Sequence, residues 1–125
     1  MGIIWQVLRK SFVFQGRASR KEYWCFYLFC LVLQTCCATV DFKLISPALE
    51  YTVFPITLVS VLVLFFPSLA VMVRRFHDTN RSGWYWLIGL IPLVGFILQI
   101  IALAQAGTKG DNDYGPAPSA TLSAV

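Results

Sequence analysis

The chain has 125 residues, of which 58% are hydrophobic and only 13% charged, with a net charge of +4 and a mean hydropathy of +0.69. A soluble domain carries roughly 25% charged residues, so the polar surface that would enclose so apolar a chain is missing; one lipid-embedded domain is implied. The Lys and Arg residues cluster beside apolar runs, which argues against nucleic acid as a partner and for topology control by anionic headgroups.

Residues 3–14 read as an amphipathic helix. Ile3, Ile4, Trp5, Val7, Leu8, Ser11, Phe12 and Phe14 fill one broad arc, and Gln6, Arg9 and Lys10 the opposite strip. Too short and too charged to span, this segment is expected to lie in the membrane interface. Residues 15–22 break the apolar pattern. Gly16 permits a turn, and Ser19 followed by Glu22 has capping-box spacing for the next helix.

A first span is predicted over residues 23–40, with Tyr23 and Trp24 as belt residues and Gln34 and Thr35 as its strongly polar interior groups. Cys25, Cys30, Cys36 and Cys37 all fall on it, where one helix cannot bring them into disulfide geometry. Helical spacing puts Cys25 and Cys36 on one face and Cys30 and Cys37 on another, as small packing residues. Residues 41–52 form a short link. The second span, residues 53–73, is uncharged, with Pro55 in its first turn and a kink expected at Pro67.

Residues 74–83 read as a tight polar turn, and residues 84–106 as the third span, belted by Trp84, Tyr85 and Trp86 and bent near Pro92 and Gly95. A Gly/Pro-rich segment, 107–118, closes the single domain of residues 1–118, and 119–125 is expected to be a disordered tail. Eight of the ten positive residues precede span one or join spans two and three; only Lys43 and Lys109 lie elsewhere. The positive-inside rule makes the richer side cytoplasmic, and three spans then put the C-terminus in the periplasm. The expected fold is all-α and polytopic: an interfacial amphipathic helix plus three transmembrane helices.

Two stretches are distinctive: Phe14-Gln-Gly-Arg-Ala-Ser-Arg-Lys-Glu-Tyr-Trp24, and the run Arg74-Arg-Phe-His-Asp-Thr-Asn-Arg-Ser-Gly-Trp84 with Pro67 upstream. With Ile91-Pro92 and the tail pattern Gly107, Gly110, Asn112, Tyr114, Gly115, Pro116, they resemble the bacterial family catalogued as domain of unknown function 805, small inner-membrane proteins. The resemblance runs from about Trp5 to Pro118. It implies a membrane fold and brings no established activity. Phe76 stands where the family more often has Leu, Asn80 where Gly is commoner, and Ala117 where Asp often precedes the last Pro. Asn tolerates the left-handed conformation, so the turn at Asn80 is expected to survive.

Both long motifs fall on the predicted cytoplasmic face. Arg17, Arg20, Lys21, Arg74, Arg75 and Arg81, with His77 among them, would surround one shallow anion site for a phosphate or lipid headgroup. The competing reading gives the same residues to orientation and to internal salt bridges of Asp78 or Glu22 with an Arg. Neighbours such as His77 and Asp78 diverge too far for acid–base work, no nucleophile has a recognisable setting, and the tail acids lack a calcium loop's closing Glu. The protein is therefore expected to be non-enzymatic, without cofactor or metal. It would engage anionic phospholipid or a membrane-protein partner, with a homo-oligomer allowed; the alternative is a subunit of an oligomeric transporter or channel, with Gln34 and Gln99 as its few inner polar groups.

Overall fold

A computed structural model describes residues 2–49 and 54–118. The expected disordered tail, 119–125, and the residues joining the link to the second span lie outside the described residues. The described chain is helical: α1 (Gly2–Arg9), α2 (Arg20–Val40), a π-wound stretch (Asp41–Ile45) running into α3 (Ser46–Leu49), α4 (Pro55–Asp78), a 3-10 segment (Gly83–Leu90) and α5 (Val94–Ala104). The stretches Arg20–Ile45 and Pro55–Asp78 are each long and apolar enough to cross a membrane.

Local chemistry sets the ends of these helices. Ser19 Oγ accepts from Glu22 N–H at 3.1 Å, the expected cap of α2. The Glu22 carboxylate does not return to the cap; it accepts instead from Arg74. Pro55 stands in the first turn of α4, where its missing N–H costs little. No side chain of its own turn caps α4. Asp41 supplies the cap from the end of α2, taking Ile56 N–H at 3.1 Å, Thr57 N–H at 2.7 Å and the Thr57 hydroxyl at 2.8 Å. At the other end Asn80 adopts φ 58°, Asn80 N–H returns to His77 O and Arg81 N–H to Phe76 O. That pattern is a Schellman closure, with Asn in the place Gly usually takes.

α2 and α4 pack side by side, with α1 laid mainly on α2. Val7, Ala18, Tyr23, Phe26, Val71, Phe76, Ala102 and Leu103 belong to one buried cluster. Outside it the helices turn apolar side chains outward: Leu28, Val32, Leu58, Leu62 and Val63 are each at least 60% exposed. The cysteines follow the expected two faces, Cys25 and Cys36 exposed, Cys30 and Cys37 half-buried, and all four are free.

Two expectations change. Arg74, Arg75, His77 and Asp78 are not in a loop; they are the C-terminal end of α4, which their burial and the Arg75–Asp78 pair extend beyond the apolar run. The third apolar stretch is not one helix. Pro92 offers no N–H to continue the 3-10 segment, Leu93 takes a left-handed φ of 62°, and α5 starts anew in the reverse direction. Gly95 meets the carbonyl of Ile88, where a Cβ would collide with it, and Gln99 Nε2 donates to Trp86 O at 3.2 Å. Rising separation between partners marks an antiparallel hairpin. Its arms match: eight residues at about 2.0 Å and eleven at about 1.5 Å both give roughly 16 Å, half a bilayer core.

Candidate functional site

The hairpin returns the chain to where it left. Gly83 sits against Val73 and His77, and Leu103 O and Gln105 O accept from the Arg75 guanidinium. The chain after α5 therefore lies against the start of α2 and the end of α4. The expected separation of the C-terminal segment from the basic loops is not met, because residues 84–104 fold back on themselves and Arg17 and Asp78 bond directly to Thr108 and Gly110.

Asp78 is the keystone of this end. Only 4% exposed, it receives Arg17 Nε on Oδ1 at 2.9 Å and Arg75 Nη1 on Oδ2. Arg17 turns its other donors to backbone carbonyls of the tail: Nη1 to Gly110 O at 2.6 Å and Gly115 O at 3.3 Å, Nη2 to Thr108 O at 2.5 Å. Thr108 N–H closes the ring on Asp78 O at 2.7 Å. Gly107 passes so close to the Asp78 carboxylate that a Cβ there would strike it. Three segments distant in sequence are thus tied by two guanidiniums and one carboxylate, the bonds that offset burying charge.

A second layer lies beside this clasp. His77 Nδ1 is 3.0 Å from Gly16 O, which, as a carbonyl, can only accept, so the neutral ring carries its proton on Nδ1. Tyr114 stacks on the imidazole, centroids 4.1 Å apart and planes within 2°. Asn112 Nδ2 donates to His77 O at 2.9 Å while its Oδ1 takes Tyr114 N–H at 2.9 Å.

The residues expected to form one anion site divide in two. Arg17, Arg74, Arg75 and His77 are buried, at 9%, 2%, 0% and 9% exposure. Arg17 and Arg75 spend their donors on Asp78 and carbonyls, and Arg74 pairs with Glu22 at 2.9 Å, leaving its Nε and Nη2 without a partner among the described residues. Arg20 and Lys21 are exposed at the start of α2, and Arg81 is half-buried, its guanidinium 5.5 Å over the Tyr85 ring. Lys109, which sequence reasoning set on the other side, joins Arg20 in lining an open cleft of about 380 Å3 between Ser19 and the tail. The tail's part was the piece missed; its Gly, Asn and Tyr spacing, shared with no apolar period, was the available signal.

A family model described as Protein of unknown function (DUF805) matches residues 11–116. The chain belongs to this family. It is 38% identical over 113 residues to inner membrane protein YhaH of Escherichia coli K12, covering 90% of this chain and 93% of that one. Inner membrane protein YhaI of the same strain is 34% identical over 112 residues, with 90% and 91% covered. No solved structure matches. The two longest helices run through the matched region, as do Arg17, Asp78 and the tail up to Pro116.

Proposed function

We propose that this is a non-enzymatic bacterial inner-membrane protein that presents a rigid cationic end to the anionic cytoplasmic leaflet. α2 and α4 cross the bilayer, the 83–104 hairpin enters it from the cytoplasmic side and leaves by the same side, and α1 lies along the interface. Both described ends of the chain are then cytoplasmic. Nine of the ten Lys and Arg residues fall on that side, leaving only Lys43 opposite, a stronger bias than three full spans would give. The observation that carries the reading is the division of labour among the arginines. Arg17 and Arg75 hold the end together, while Arg20, Lys21, Arg81 and Lys109 remain at its rim. The exposed acids Asp111 and Asp113 oppose them only in part. Each exposed cation near an anionic surface is worth about 1 kcal/mol.

A path through an oligomer has less support, since Gln34 accepts from Ser60 Oγ at 3.0 Å and Gln99 bonds inside its own hairpin. The test is the lipid retained by the full chain after extraction from mixed phosphatidylglycerol and phosphatidylcholine nanodiscs, read by native mass spectrometry. Arg20, Lys21, Arg81 and Lys109 changed together to Gln should abolish phosphatidylglycerol enrichment. Enrichment unchanged in that variant, with its melting temperature intact, contradicts the reading.

A further inference from the structure

Beside the clasp a cleft of about 470 Å3 opens along α4. His77, Val73 and Leu69 form its α4 wall, at four-residue spacing, so it extends roughly 12 Å along the helix from the polar end toward the apolar middle. Phe14, Gln15, Ser82, Trp84, Trp86 and Tyr114 complete its lining. No lining residue carries a formal charge when His77 is neutral, although Arg81 and Arg17 are neighbours in sequence. The cleft and the cationic rim therefore select different chemistry.

The polar group set into this wall is His77 Nε2. His77 is only 9% exposed, and its Nδ1 is committed to Gly16 O. In the neutral ring Nε2 is then a bare acceptor, with no protein donor on it among the described residues. Gly83 lies beside it, and a Cβ there would come within 3.5 Å of Nε2. A bare acceptor above an aromatic and aliphatic trough, with the amide and hydroxyls of Gln15, Ser82 and Tyr114 also in the lining, suits a ligand with a hydroxyl-bearing head on an apolar chain. A lipid carbonyl or phosphate has no proton to give.

We propose that this cleft binds a neutral acylglycerol of the bilayer, its free glycerol hydroxyl donating to His77 Nε2 and its acyl chain running past Val73 and Leu69 between Phe14 and Trp86. Three features favour that occupant: the uncharged lining, the bare acceptor, and a polarity that falls from His77 to Leu69 in the direction in which a lipid's own polarity falls. The site does not depend on the exposed cations, so it stands or falls apart from the anionic-surface reading.

The test is photolabelling of the full chain in phosphatidylcholine nanodiscs with a monoacylglycerol bearing a diazirine in its chain. The methyl ester of the same acid lacks both glycerol hydroxyls, and a phosphatidylglycerol with the same chain supplies the charged alternative. Labelling should concentrate on Phe14, Leu69, Val73 and Trp86. The ester should need about fivefold more lipid for half-saturation, the equivalent of one lost hydrogen bond. Leu69→Trp, at a half-buried position outside the core cluster, should remove the label while leaving the melting temperature unchanged; Gly83→Ala should weaken it by crowding Nε2. Equal saturation by ester and monoacylglycerol, stronger labelling by phosphatidylglycerol, or label spread evenly over Leu28, Val32 and Leu62 would each overturn the proposal.

Discussion

Two buried carboxylates stand at opposite ends of the α2–α4 pair, and they are satisfied in opposite ways. Asp41, fully buried, takes, among the described residues, the backbone N–H groups and a hydroxyl at the start of α4, a segment fifteen residues away in sequence. Asp78 takes two guanidiniums, one of them 61 residues away, and those guanidiniums in turn hold the tail. The first arrangement caps a helix and stops there. The second converts one buried charge into a junction of three segments, and its cost is that no member can be removed alone.

The sharpest way to break this contrast is Asp78→Ala. Two guanidiniums would be left buried without a counter-charge, and the loss should be about 3–5 kcal/mol. Limited proteolysis should then cut within residues 107–118, while the α2–α4 pair persists. Asp41→Ala should cost less, about 2 kcal/mol, as the loss of a helix cap does, with no change in protease sensitivity of the tail. Equal losses from the two substitutions, measured by denaturant unfolding in mild detergent, would erase the distinction. Tyr114→Ala removes a stacked ring and should cost about 1 kcal/mol. It should loosen the tail without releasing it, since Arg17 still holds Thr108 and Gly110.

Much of the fold was legible because helices in an apolar chain have strong local signatures. Ser19 with Glu22 announced a cap, Pro55 a first turn, and Asn80 a left-handed closure, and each depends on residues within one helical turn. The pairing of Asp78 or Glu22 with arginine was readable as chemistry, but not which arginine each would take. The hairpin was not legible. Residues 84–106 have the length and hydropathy of a span, and although a bend near Pro92 and Gly95 was legible, it took the positive φ at Leu93, the packing of Gly95 on Ile88 O and the Gln99–Trp86 bond to reveal a full reversal. That single misreading also parted the tail from the basic motifs, since its expected side had been counted from three crossings. The anion site was misjudged for a related reason. Arginine in a polar motif reads as a free donor until burial shows that its donors are already taken, as they are at Arg17 and Arg75.

The central claim, that the tail lies on the same face as both basic motifs, is tested most directly by side-specific labelling. With Cys25, Cys30, Cys36 and Cys37 replaced by Ala, a cysteine at position 113 is offered to a membrane-impermeant maleimide in intact spheroplasts, with a cysteine at position 43 as the opposite-side control. The structure predicts that position 43 labels at once and position 113 only after the membrane is permeabilised. Labelling at position 113 in intact spheroplasts would mean a third full crossing and would contradict the clasp.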